Sequence, residues 1–437
     1  MSVGWIAGSG CGAMEIGRSR DRISELPDAI LHHIFSFLPT RQLVEASILS
    51  KRWTHLWASA PSLSFSSDDF DSTADGRRRF PNFIDTVLLL RDASDISTFR
   101  LQWLGEGKDL EQADRWLRFV VKRNVKCLEL QMHLYIDESL PSCIFSCQSL
   151  QVLKLEAMCG FIGLPGSVSL PKLKRLEVSY AEFLDDSLKE LLSGCPLLEV
   201  LSFEHCYFTS LEICSHALKR LELYVPDDAE AVVRISAPRL LSFAYWGMVF
   251  QELTLMNLSS LTYASICLFS NSSNDDDAGD MDRYRRISNL LAGLHNVESL
   301  EFLSVAFKFL LQRRDRSQSL PIFRKLKHLR AGTSLDRDGI AAITSLLQRS
   351  PNLESLVIDQ YEVPNNLCME GGSMAPMPDS ARLCHLRVVE ISNFGATENE
   401  LSFVKLLSSN VFSAEKVTLV PSKKTGESGD NASRWKQ

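Results

Sequence analysis

The 437-residue sequence predicts an α/β fold: a three-helix N-terminal unit, then a solenoid of stacked strand-and-helix repeats whose strands form one curved parallel sheet. Two observations predict it. The pattern x-Leu-x-x-Leu-x-Leu returns eleven times, with drift, between Asn124 and Ile391, and self-similarity on that scale outranks any local propensity. Ahead of it, between Asp21 and Trp57, apolar residues recur at helical spacing. A hydrophobic content of 45%, with no apolar run approaching the ~20 residues of a membrane span, describes a packed soluble chain.

Residues 1–20 carry no periodic pattern and are expected to be disordered. Gly8-Ser9-Gly10-Cys11-Gly12 has neither a strand before it nor a helical pattern after it, so it is a flexible terminus rather than a phosphate loop. Pro27, Ile30, Leu31, Ile34, Phe35 and Leu38 then form one broad apolar stripe of a helix. Pro27 suits the first helical position, Asp28 favours the positive end of the helix dipole, and Pro39 forbids continuation. Thr40 is placed to cap a second helix, and Trp53, Leu56 and Trp57 share a face of a third. A unit of about 40 residues rarely buries so much apolar surface by itself, so it must dock on something.

Ser59 to Asp75, rich in Ser and Asp, reads as a solvated linker, and Arg77-Arg78-Arg79 after it as solvated charge. A helix follows over Phe80 to Arg91, so that 61–95 is linker and helix. STFRLQW, from Ser97, is expected to be an atypical capping strand at the start of a solenoid spanning 96–420. The fifth positions of the eleven copies are Leu128, Leu153, Leu176, Leu201, Leu221, Phe243, Ala264, Leu300, Leu329, Leu356 and Val389, at intervals between 20 and 36 residues. The long intervals contain two polar or Gly/Pro-rich insertions, Ser270 to Asp282 and Val363 to Ser380, read as loops. Return helices are predicted over Leu184 to Pro196 and Gly339 to Pro351. One strand and helix cannot bury their own apolar faces, so neighbouring repeats must stack. The tail 421–437 is expected to be disordered.

The N-terminal segment resembles a plant F-box on Asp21, Arg22, Ile23, Ser24, Leu26, Pro27, Asp28, Pro39, Thr40, Leu49, Ser50, Lys51, Arg52 and Trp53. The repeats are similar to those of plant F-box proteins with leucine-rich repeats, on Ser193-Gly194-Cys195-Pro196-Leu197-Leu198-Glu199 and Ala237-Pro238-Arg239-Leu240. Leu383 to Leu419 is similar to the FBD-associated region of that group. The resemblance implies a contact with the Skp-type adaptor of SCF ubiquitin ligases, and through it with a cullin. It implies Leu26, Pro27, Ile30, Leu31, Ile34, Leu38, Leu49, Lys51 and Trp53 as the adaptor-binding residues. Glu45 stands where many relatives carry a basic residue, a departure expected to tune a mainly apolar contact rather than abolish it.

Forty-seven basic against 54 acidic residues give a net charge of −7, so neither nucleic acid nor an anionic membrane is the natural partner. The N-terminus lacks the apolar core of a secretory signal, and an odd count of 11 cysteines without a Cys-x-x-Cys pair fits reduced, mostly buried thiols. An intracellular location, cytoplasm or nucleus, is expected, which makes the Asn-x-Ser sequons at Asn257, Asn271 and Asn431 irrelevant to glycosylation. No protease, hydrolase or phosphate-loop motif occurs, so no enzyme and no cofactor are expected. Cys143, Cys147, Cys159 and His133 match no zinc spacing, and Arg286 stands where a calcium loop starting at Asp275 needs its twelfth acid.

The candidate substrate surface is the concave face of the sheet, to which the fourth and sixth positions of the repeat contribute. Its residues are Glu129, Lys154, Arg175, Glu177, Arg220, Glu222, Tyr245 and Tyr263, whose charges largely cancel. The function expected is the substrate-recognition subunit of an SCF-type ubiquitin ligase, with a protein substrate on the solenoid. The alternatives are an interaction scaffold without a ligase role, or a small-molecule receptor built around Tyr245, Trp246, Tyr263 and Arg220.

Overall fold

The computed structural model describes residues 23, 25–50, 52–70, 73–104, 110–133, 140–161, 164, 167–183, 187–225, 231–248, 252–269, 277–304, 320–360, 384–410 and 415–422. Three short helices lead: α1 (Asp28–Phe35), α2 (Thr40–Ala46) and α3 (Trp53–Leu56), with a 3-10 turn at Ser47–Leu49. Pro27 and Pro39 are the residues before α1 and α2, each extended at ψ near 145°, rather than their first helical residues. Thr40 is therefore the first residue of α2, not its cap. Its buried hydroxyl accepts the Ser64 N–H at 2.7 Å.

Ser64 belongs to β1 (Ser62–Ser66), and here the structure corrects the sequence reading: the stretch taken as a linker is the first strand of the solenoid. Its Leu63 and Phe65 are buried, an alternation too short to stand out among serines. Next come α4 (Ala74–Leu90), β2 (Thr98–Trp103) and α5 (Leu110–Val121). Helix α4 begins six residues before Phe80, because the Thr73 hydroxyl caps it by accepting the Gly76 N–H at 3.1 Å. Arg79 in its exposed first turns pairs with Asp75 at 2.8 Å. Asp85 of α4 accepts hydrogen bonds from Trp116 Nε1 at 2.6 Å and Gln112 Nε2 at 2.7 Å, fixing α4 against α5.

From there strand succeeds strand: β3 (Cys127–Met132), β4 (Val152–Phe161), β5 (Arg175–Glu182), helix α6 (Ser187–Ser193), β6 (Val200–Glu204), β7 (Ser210–Cys214), β8 (Arg220–Tyr224), β9 (Val232–Ser236), β10 (Ser242–Gly247), β11 (Glu252–Met256) and β12 (Tyr263–Leu268). The C-terminal part holds α7 (Asp277–Gly293), β13 (Ser299–Ser304), β14 (His328–Gly332), α8 (Arg337–Arg349), β15 (Ser355–Asp359), β16 (Val388–Phe394), α9 (Glu398–Asn410) and β17 (Lys416–Pro421). Among the described residues fourteen strands make one open sheet in the order β1-β2-β3-β4-β5-β6-β8-β10-β12-β13-β14-β15-β16-β17. Every pairing in it is parallel, and the eleven fifth positions align in a single cross-strand row. That row is at most 2% exposed throughout, continuous with Leu63 and Phe99 of the two strands before it. Residues at the seventh position form a second buried row, and those at the second position a third.

Backbone bonds hold the register through insertions. In each turn a third-position N–H reaches the preceding repeat's third-position carbonyl: Lys174 to Gln151 at 2.8 Å, Glu199 to Lys174 at 2.8 Å, and Glu298 to Thr262 at 2.9 Å across the 36-residue interval. The insertion read there as a loop is partly helical, since α7 starts at Asp277. The second insertion, 363–380, lies outside the described residues, as do 1–22 and 423–437.

Where the interval shrinks to 20–22 residues there is no room for a return helix and two turns. Those three repeats return by a strand instead, and β7, β9 and β11 form a separate parallel sheet in the order β11-β9-β7 behind the large one. Its inward residues Leu211, Ile213, Val233, Ile235 and Leu253 are buried. The longer repeats return by helices: α6 buries Leu188 and Leu191, and α8 buries Ile340, Ile343, Leu346 and Leu347. Asp336 caps α8 by accepting the Gly339 N–H at 2.9 Å.

Candidate functional site

Two surfaces emerge, one at each end of the chemistry expected. On the N-terminal helices, the broad apolar stripe divides into an inner and an outer half. Leu31 and Phe35 are fully buried with Leu43, Leu56 and Ala60 in a small core of their own, and Trp53 lies edge-on to Phe35 with centroids 5.5 Å apart. Leu31 is thus a core residue and not a contact residue, which corrects its assignment to the adaptor surface. Leu26, Leu38 and Trp53 are half-buried against that core.

The outer half faces solvent. Ile30 and Ile34 are exposed one turn apart on α1, with Phe37 next on the same side, and Ile48 and Leu49 project from the 3-10 turn at 86% and 78% exposure. Pro27 is exposed at the start of α1, and Lys51 lies outside the described residues. Phe37 and Ile48 lie outside the stripe that the sequence predicts. The available signal was that a large apolar residue stood beside an already complete stripe.

The opposite side of the unit sits on the solenoid. Trp57 packs against both cores, the Arg41 guanidinium lies 5.0 Å over the Phe70 ring and donates to the Asp69 carbonyl, and Arg91 Nη1 donates to the Ala60 carbonyl at 2.7 Å. Glu45, the acidic departure, accepts from Arg41 Nε at 3.0 Å. Its charge therefore serves an arginine of this junction.

The second surface is the open face of the large sheet, to which the fourth, sixth and eighth positions of the repeat contribute. Glu129 pairs with Arg100 at 2.8 Å, and Glu177 with both Lys154 at 3.0 Å and Arg175 at 2.9 Å. Burial works against the Glu177 carboxylate, but hydrogen bonds from Arg175 and Lys154 outweigh it and hold its pKa below the usual value. Arg330 is taken up by Asp359 at 2.5 Å.

Between β8 and β13 the face opens into a groove of about 500 Å³. Arg220, Glu222 and Tyr263 line it as expected. Tyr245 does not. It stands at the seventh position, is 1% exposed and donates its hydroxyl to the Met248 carbonyl just past β10, because adjacent strand residues point to opposite faces. Its neighbours at the eighth position, Trp246 and Tyr224, supply the aromatic wall, with ring centroids 5.3 Å apart. Burial, then the nearby acidic Glu222 and Glu204, pushes the Tyr224 phenol up, and burial with Glu301 does the same for Tyr263.

No group of three potential metal ligands occurs among the described residues, and none of their helices is long and apolar enough to cross a membrane. Burial pushes the thiols of Cys195 and Cys206 up to about 12, which keeps them protonated and inert.

Comparison with known proteins places both parts of the chain in known families. A family profile of the F-box domain matches residues 23–65, and one described as "FBD-associated F-box protein At5g56370, LRR repeats" matches residues 113–262. The putative F-box/FBD/LRR-repeat protein At3g59240 of Arabidopsis thaliana is 30% identical over 88% of this chain and 81% of its own length. The chain belongs to the plant F-box/LRR-repeat family. The putative F-box protein At1g58310 of the same plant is 33% identical over 79% of this chain and 74% of its own length, and F-box protein At3g03040 is 30% identical over 87% and 85%. The F-box followed by leucine-rich repeats makes the chain a protein-interaction adaptor of a typically non-catalytic kind. F-box domains generally bind Skp1-type adaptors.

Proposed function

We propose that this chain is the substrate-recognition subunit of an SCF-type ubiquitin ligase, with the F-box on a Skp-type adaptor and the open face of the leucine-rich repeats on a protein substrate. The observation that carries the reading is the outer half of the F-box. Ile30, Ile34, Phe37, Ile48 and Leu49 are exposed although the unit has already buried its inner half and seated itself on the solenoid. Large apolar side chains concentrated on one small helical unit mark a protein interface. Pro27, Leu26, Leu38, Lys51 and Trp53 stay in the proposed adaptor surface as its rim and support. Leu31 acts from beneath it.

The chain itself breaks no bond in this role. It raises the local concentration of a bound substrate near a ubiquitin-charged enzyme held elsewhere in the assembly. Affinity purification of the tagged chain from plant cells tests this. Wild type is expected to recover adaptor and cullin, and Ile34→Asp with Leu49→Asp to recover neither while still retaining solenoid-bound proteins. A second arm follows the half-lives of those retained proteins. If deleting the F-box changes none of them, the chain is a scaffold and the ligase reading fails.

A further inference from the structure

The groove on the open face has a construction that bears on what enters it. Its floor is small: Ala244 and Ser265 occupy sixth positions where neighbouring strands carry Glu or Arg. Its walls are aromatic, with Trp246 and Tyr224 at one end and Tyr263 at the other. Its sides are acidic, because Glu222 and Glu301 flank the floor in register, three strand spacings or about 14 Å apart. Glu301 is held in place by the Ser265 hydroxyl at 3.2 Å.

The lining has one cation, Arg220, 4.0 Å from Glu222; Arg330 stands beside Glu301 in register but outside the lining and is bonded to Asp359 at 2.5 Å, so the lining itself has one positive charge against two negative ones. Further along the face several charges pair off, as in Arg100 with Glu129 and Lys154 with Glu177. The face as a whole calls for no basic protein. This groove, locally, calls for a cation.

We propose that the groove receives one basic side chain, Arg or Lys, presented by the bound protein. This rests on the reading of the open face as the partner-binding surface. The apolar stem of such a residue lies along Ala244 and the Trp246 ring, and its head meets aromatic faces and a fixed carboxylate, the combination that stabilises a desolvated cation. An acidic side chain would face two carboxylates, and an aliphatic one would strip water from charged walls without replacing it.

Panning a random peptide library against the purified full chain tests the proposal. Selected peptides are expected to share an Arg or Lys, and the Kd of the most enriched one to weaken about fivefold or more in Trp246→Ala and in Glu301→Gln. Glu212→Gln, on the rear sheet, serves as the control and leaves Kd unchanged. Glu301→Gln preserves size and the bond from Ser265, so it reads the charge even where Trp246→Ala unfolds the site. Lack of enrichment, enrichment without a common basic residue, or equal binding by Glu301→Gln overturns the proposal. Adaptor binding is measured on the same preparations. Its loss there would count against the ligase reading and leave the groove's chemistry standing.

Discussion

Leu31 and Ile34 stand one helical turn apart on α1 and serve opposite purposes. Leu31 fills the F-box core with Phe35, Leu43 and Leu56, whereas Ile34 is left to solvent. Leu31→Ala should cost about 2–5 kcal/mol of F-box stability, and Ile34→Ala less than about 0.5 kcal/mol. Chemical denaturation followed by tryptophan fluorescence separates the two, and equal losses would contradict the division. The sequence could not make this division, because a stripe wide enough to serve core and partner together looks continuous until α2 and α3 choose a side. Tyr245 and Trp246 teach the same lesson for a strand. The repeat pattern gave the parity needed to place Tyr245 inside, but its aromatic character suggested a surface role, and parity won.

Strands were the most legible elements, since all eleven copies of the repeat form consecutive strands of one sheet. The helical returns with clear leucine periodicity were legible too. What stayed hidden were β1, whose two apolar residues sit among serines, and the rear sheet, which is a consequence of interval length rather than of any local motif. Helix α9 shows how a single side chain sets an element boundary. Thr397 and Glu400 form a reciprocal cap: the Glu400 carboxylate accepts the Thr397 N–H at 2.7 Å and the Gly395 N–H at 3.1 Å, and its own N–H reaches the Thr397 hydroxyl at 3.3 Å. Gln360, from the repeat before, donates to the same carboxylate at 2.8 Å. Burial opposes this charge, but the bonds from Thr397, Gln360 and Gly395 prevail and hold its pKa below the ordinary 4.5. A depressed carboxylate pKa stabilises the fold fully above 4.5 and loses that contribution as pH falls through the lowered value. Glu400→Gln should therefore destabilise by about 1–3 kcal/mol at neutral pH, and the gap from wild type should close in acid. Thermal melts from pH 7 downward show this, and a gap independent of pH would contradict it.

At the scale of the whole molecule, the F-box and the repeats share a boundary without a spacer. Thr40 bonds β1, Trp57 enters both cores, and Arg41 and Arg91 reach across. The sequence concealed this because the junction is built from single contacts that have no period. In the proposed assembly the fixed junction sets the direction in which the open face presents its cargo to the ligase, whereas a flexible linker would let it swing. The central claim is that the exposed half of the F-box is an adaptor interface. Calorimetric titration of the purified full chain with a plant Skp1-type adaptor tests it most directly. Saturable one-to-one binding is expected for wild type and its loss for Ile34→Asp with Leu49→Asp at unchanged melting temperature. Absence of binding by wild type, or equal binding by the double variant, would contradict the account.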